Sequence, residues 1–74
     1  MTKLPVISGR QLIKALQKEG YYIRDQQGSH IHLRHPIKPP LTVPNHKTIA
    51  RGTLKAIIKA SSISLAELLE LLGK

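Results

Sequence analysis

The segment Gly28-Ser29-His30-Ile31-His32-Leu33-Arg34-His35 alternates between polar and apolar side chains from His30 to Arg34. Because successive side chains of a strand point to opposite faces, Ile31 and Leu33 share one face. The other face carries three ionisable side chains, which are His30, His32 and Arg34. A two-residue turn at Gln27-Gly28 is expected to join this strand to the residues before it. The segment therefore predicts a half-buried strand of a hairpin, with an apolar inner face and a basic outer face.

Two further strands are predicted beside this one. In residues 21–26, strict alternation places Asp25 with Tyr21 and Ile23 on the inner face and Arg24 on the outer face. Residues 41–44 form a short third strand after a proline-rich loop, and Pro44 suits a strand end because it has no N–H to donate.

Helix signals flank the strands on both sides. Ser8 and Gln11 form a capping box at the start of a first helix, and Ser64 and Glu67 form another before a short Leu-rich helix. A second helix is predicted from about residue 50 to residue 60. We expect the Leu-rich helix to pack into the core, although its apolar face also suits contact with a second copy, so the oligomeric state stays open. The element order predicts an α+β domain with a three-stranded antiparallel sheet covered on one face by helices.

Composition narrows the class of partner. The 74 residues form one predicted domain, 1–74, with a formal charge of +8 and no Cys, which excludes disulfides and thiolate chemistry. Such a charge favours nucleic acid or an acidic protein as partner. No stretch is long and apolar enough to span a bilayer, and no signal-like segment is recognisable, so we expect a cytoplasmic protein.

A long region of the chain contains no acidic residues. No Asp or Glu occurs from Gln26 to Ala66, and all four histidines lie within it. Basic residues recur there at intervals of four, at Lys47, Arg51, Lys55 and Lys59. Such a stripe is either the solvated side of an amphipathic helix or a row of phosphate contacts, and the absence of interspersed acids keeps both interpretations open.

Several short motifs occur in order along the chain: Leu4-Pro5, Ser8-Gly9, Gly20-Tyr21, Gly28-Ser29-His30, Arg34-His35-Pro36, Val43-Pro44 followed by His46, and Gly52-Thr53-Leu54. Together they resemble the HicA (YcfA-like) toxins, small ribonucleases of bacterial toxin–antitoxin pairs, over almost the whole chain. The resemblance implies a fold like that of double-stranded-RNA-binding domains, in agreement with the predicted element order. Two departures are Asp25-Gln26, where many members carry Arg-Gln, and Ile37-Lys38-Pro39-Pro40, where a Gly-containing turn is usual.

The resemblance also implies a function and a partner. It transfers the catalytic role to His30, in a metal-independent endoribonuclease that cleaves mRNA without a cofactor and is neutralised by a HicB-type antitoxin covering the His30 face. Ser29 and His32 are candidate assisting residues, although Ser29 equally fits a role in the hairpin and His32 that of a solvated side chain. The expected RNA-binding residues are basic: Arg24, Arg34, Lys47, Arg51 and Lys55.

Other functions are compatible with parts of the pattern. His30 and His32 share a face and could chelate zinc, but His35 is predicted on the opposite side, so we expect no metal site. A non-catalytic double-stranded-RNA-binding module is the main alternative, although such a module has no need of an exposed histidine at the hairpin. A third hypothesis is a small protein that binds only an acidic partner protein.

Overall fold

A computed structural model describes residues 4–73, so the predicted domain extends past the described residues at both ends. The elements in chain order are α1 (Gly9–Lys18), β1 (Tyr22–Gln27), β2 (His30–Arg34), β3 (Leu41–Pro44), α2 (Arg51–Ser61) and α3 (Leu65–Leu71). The strands form one antiparallel sheet in the order β1-β2-β3. This architecture confirms the predicted α+β fold with its element order.

Strand β2 anchors the sheet to the core. Ile31 and Leu33 are buried and lie opposite Val43 and Leu41 of β3, which are buried too. Helices α1 and α2 contact β3, and α3 packs against α1. The apolar side chains that the helices bury in this core include Leu12, Leu16, Leu54, Ile57 and Leu68. The helices therefore cover one face of the sheet, and the Leu-rich helix contributes to the core as expected.

Both predicted capping boxes are present. The Gln11 N–H donates to Ser8 Oγ over 3.1 Å, while the Ser8 N–H donates to Gln11 Oε1 over 2.9 Å. Ser64 and Glu67 make the same pair of bonds at the start of α3. These bonds satisfy N–H groups that the first turn of a helix leaves without intrahelical partners, which explains where α1 and α3 begin.

The start of α1 lies against the end of β3. The Gly9 N–H donates to the His46 carbonyl over 2.9 Å. A Cβ at position 9 would clash with the carbonyl oxygen of Pro44, so this close approach of two backbones requires glycine. Because Pro44 pairs with His30, the contact holds α1 at the end of the sheet where His30 lies.

His35 connects the loop after β2 to the end of α1. Its Nδ1 accepts the backbone N–H groups of Ile37 and Lys38, each over 3.1 Å, so Nδ1 must carry a lone pair. Its Nε2 therefore bears the hydrogen and donates to the Glu19 carbonyl over 3.1 Å. The ring also packs against Tyr21, with 4.8 Å between ring centroids. His35 thus has a structural role and faces away from the outer face of the sheet.

Tyr21, which packs against His35, also binds the proline-rich loop between β2 and β3. Its hydroxyl donates to the Pro39 carbonyl over 3.0 Å. Burial raises the pKa of the Tyr21 phenol, and Glu19 raises it further, whereas Lys38 opposes the shift. Lys38 is itself bonded to Glu19 over 2.9 Å. The loop from β2 to β3 is therefore held by the Tyr21 hydroxyl at Pro39 and by the ion pair of its own Lys38 with Glu19.

We predict that His35→Ala destabilises the fold by about 2 kcal/mol, because two backbone N–H groups lose their acceptor and Tyr21 loses a packing partner. Urea unfolding of the purified protein measures this free energy. His46→Ala, which removes an exposed imidazole, is the matched control and should leave the midpoint unchanged. Equal stability of His35→Ala and the wild type would contradict the proposed anchor.

Candidate active site

The turn between β1 and β2 consists of Gly28 and Ser29, since Gln27 pairs directly with His30. The expectation of a Gln27-Gly28 turn was therefore wrong by one residue. Gly28 has φ of +59° and Ser29 does not have a positive φ, the pattern of a type II′ turn. The Ser29 carbonyl accepts the Asn45 N–H over 2.6 Å, which ties the hairpin to the chain after β3.

His30 is the first residue of β2 and is exposed. It pairs with Gln27 on one side and with Pro44 on the other, so its backbone lies between two strands. Its side chain shares the outer face with His32 and Arg34, as alternation along β2 predicts. A strand paired on both sides thus presents this imidazole to solvent, where a proton can be exchanged with a bound molecule.

A β-bulge in β1 changes which side chains reach the outer face. Ile23 pairs with Leu33, but the next paired residue of β1 is Asp25, which lies opposite His32. Arg24 and Asp25 together therefore oppose one residue of β2. The prediction that Asp25 lies on the inner face was wrong, because strict alternation assumes a regular strand.

The register shift at this bulge also moves Gln26, the next residue of β1, to the inner side of the sheet. Gln26 pairs with Ile31 and lines a groove of about 270 Å³ between α1 and β1. Ile23, predicted to be buried, also lines this groove and is 48% exposed, because it lies at the edge of the sheet.

Asp25 and His32 are directly bonded on the outer face. Asp25 Oδ1 lies 2.5 Å from His32 Nδ1, with 46% and 32% of the two side chains exposed. An ionised carboxylate can only accept, so His32 Nδ1 carries the hydrogen of this bond. The Nε2 atom then remains available to a ligand. Alternation along the strands did not predict this pair, and the only signal for it in the sequence was an acid immediately before a long acid-free region.

Two arginines lie beside this pair. Arg24 and Arg34 line an open depression of about 290 Å³ together with His32, as the sequence predicted for this face. The rest of its wall comes from Leu33, Pro40, Leu41 and Thr42. A guanidinium offers paired donors that match a phosphate group, so the depression has the chemistry of a phosphate site.

The remaining predicted cations lie elsewhere. Arg51 and Lys55 are exposed on α2, whose Leu54 and Ile57 are buried in the core. These cations therefore lie on the solvent side of the helical layer, away from the outer face of the sheet. Lys47 is also exposed, but it precedes α2, so the basic stripe begins in the loop between β3 and α2.

Among residues 4–73, no three His, Asp or Glu side chains come close enough to bind one metal ion. Within the same range, no helix has the length and apolar character needed to cross a membrane.

Comparison with known proteins assigns the family. Curated proteins give no significant match to the chain. The family model described as the HicA toxin of bacterial toxin–antitoxin matches residues 9–63, which include the whole sheet, α1 and α2. The match covers well over half of the 74 residues and agrees with the ordered motifs around Gly28-Ser29-His30. The chain therefore belongs to the HicA toxin family of bacterial toxin–antitoxin systems.

Proposed function

We propose that this toxin is a metal-independent endoribonuclease that cleaves mRNA in the cytoplasm, with His30 as its catalytic residue. The observation that carries the proposal is the exposed imidazole of His30, held at the start of β2 on the face that also bears Arg24 and Arg34. Histidine is the side chain whose ordinary pKa, about 6.5, allows proton transfer in both directions near neutral pH.

RNA carries its own nucleophile, the 2′-hydroxyl, so its cleavage does not require a metal-bound water. The 2′-oxygen loses its proton to a base and bonds to phosphorus, while the bond from phosphorus to the 5′-oxygen breaks and that oxygen gains a proton. His30 can serve as the base, as the acid, or as both in turn, and such proton transfer contributes about 10²- to 10⁴-fold. Arg24 and Arg34 would stabilise the charge that develops on the phosphate oxygens.

The other cations extend the proposed RNA contact beyond the reacting phosphate. Lys47 lies in the loop that leads from β3 to α2, and Arg51 and Lys55 follow on the exposed side of α2. Since His30 pairs with the last residue of β3, this loop starts next to the catalytic residue. A strand of RNA leaving His30 along the loop would meet these cations in sequence.

The cognate antitoxin implied by the family is proposed to be a HicB-type protein that covers the His30 face. The toxin has a formal charge of +8, so an acidic surface would complement it. Coverage of His30 and the depression between Arg24 and Arg34 would exclude RNA sterically.

We predict that His30→Ala abolishes both growth inhibition and RNA cleavage, because the variant loses the group that transfers protons. Growth is followed after expression without the antitoxin, and purified protein is assayed on RNA in the presence of EDTA. His46→Ala is the control, since it removes another exposed histidine. Equal cleavage by His30→Ala and the wild type would overturn the proposal, and RNA binding without cleavage by the wild type would favour a non-catalytic RNA-binding module.

We predict that Lys55→Glu weakens RNA binding and lowers the slope of log K against log salt by about one, because one phosphate contact is lost. Binding is measured with the inactive His30→Ala background over a series of salt concentrations. Lys14→Glu gives the same change of charge at an exposed position of α1 and should alter the slope less. An identical slope for both variants would show that α2 makes no specific phosphate contact.

We predict that the cognate antitoxin protects His30 from acylation by diethyl pyrocarbonate and blocks cleavage at the same stoichiometry. Mass spectrometry of the free toxin and of the complex measures the modification of each histidine. Full reactivity of His30 within an inactive complex would contradict steric coverage of this face.

A further inference from the structure

We propose that Asp25 and His32 form a second acid–base centre beside His30, with Asp25 positioning the ring and His32 accepting the proton of the 2′-hydroxyl. This inference rests on the proposed ribonuclease function and assigns the second proton-transfer group to that reaction. Asp25 acts through His32 and is a positioning residue, whereas His32 would touch the substrate.

The bulge in β1 brings Asp25 to the same face as His32. A regular β1 would turn Asp25 toward the inner face, but the additional residue brings it opposite His32, at 2.5 Å from Nδ1. Bulges are frequent near active sites, where they redirect a side chain. The bond fixes the hydrogen on Nδ1, so the Nε2 lone pair of the uncharged ring faces away from the carboxylate.

The spacing of His30 and His32 along β2 suits a pair of proton-transfer groups. His30 and His32 are two residues apart on one face of β2, which places their Cα atoms about 6–7 Å apart. A phosphate group bonded to an attacking and a leaving oxygen needs proton-transfer groups on opposite sides. Two histidines at this separation can reach both oxygens of one phosphodiester.

Asp25 is an acidic residue on an otherwise basic face of the sheet. An acid on a surface that binds a polyanion weakens binding, yet Asp25 lies next to Arg24 on the face proposed to contact RNA. Its direct bond to His32 gives it a role there, because a carboxylate stabilises the imidazolium that forms when the ring takes up a proton. The groups that face His32 are Arg24 and Asp25 from β1, His30 and Arg34 from β2, and Thr42 from β3.

In the proposed reaction, two proton transfers accompany the formation of one bond to phosphorus and the breaking of another. His32 Nε2 takes the 2′-hydroxyl proton as the 2′-oxygen bonds to phosphorus, and the bond from phosphorus to the 5′-oxygen breaks. His30, in its protonated form, gives a proton to the departing 5′-oxygen. The products are a 2′,3′-cyclic phosphate and a 5′-hydroxyl, with His32 protonated and Asp25 unchanged in charge.

The tautomer of His32 tests the positioning role without any RNA. Imidazole ¹⁵N chemical shifts, recorded for the folded protein above the titration range of its histidines, distinguish Nδ1–H from Nε2–H. The wild type is expected to show Nδ1–H at His32, and Asp25→Ala should shift it toward Nε2–H. His35, whose Nε2 donates to Glu19, provides an internal reference of the opposite tautomer.

Steady-state cleavage tests the catalytic role. His32→Ala is expected to lower kcat by about 10²-fold or more and to abolish one limb of the bell-shaped pH–rate profile. Asp25→Ala should lower kcat by a smaller factor while KM stays the same or falls, because removal of an acid favours RNA binding. Glu70→Gln removes an exposed acid from α3 and is the control for net charge, with kcat expected to equal that of the wild type.

The results of these experiments distinguish failure of the second acid–base centre from failure of the proposed ribonuclease function. Loss of cleavage in His30→Ala, combined with wild-type kcat in both Asp25→Ala and His32→Ala, would overturn the second centre alone. An Nε2–H tautomer at His32 in the wild type would also overturn it. Absence of cleavage by the wild type would overturn both proposals. A lower unfolding midpoint for Asp25→Ala with unchanged kcat would assign the bond a structural role and reject the catalytic one.

Discussion

The burial of Ile31 and Leu33 determines the geometry of the whole sheet. A slip of β2 by one residue would move both aliphatic side chains to solvent and bring His30, His32 and Arg34 into the core. That arrangement would bury three ionisable groups among aliphatic residues, at a large cost in free energy. The register of β2 against β3 is therefore strongly specified, and the same constraint that forms the core holds the basic residues outside it.

The site lies where the sheet meets the loops and α1. His30 pairs with the last residue of β3, and Gly9 contacts the residues that follow, so the start of α1 and the hairpin turn lie at one end of the sheet. At the opposite end of β2, His35 anchors the proline-rich loop through its bonds to the backbone. Contacts at both ends of β2 suit the proposed function, in which a phosphodiester would have to be held in one geometry.

The histidines illustrate how surroundings assign different roles to one residue type. Two backbone N–H groups require a lone pair on Nδ1 of His35, whereas the Asp25 carboxylate requires a hydrogen on Nδ1 of His32. His35 is thereby committed to structure, and His32 retains an outward Nε2. His30 begins β2 and is exposed on the same face as His32. Of these three histidines, only His30 and His32 are therefore free to take part in the proton transfer proposed for this protein.

Sequence alone determined the element order, both capping boxes, the inner and outer faces of β2 and the exposure of His30, because each depends on local periodicity or short-range hydrogen bonds. It could not determine the pairing of Asp25 with His32. A bulge depends on how two strands fit together, and alternation within one strand carries no sign of it. The turn at Gly28 and Ser29 was likewise decided by tertiary structure, since strand pairing selects among locally acceptable turn positions.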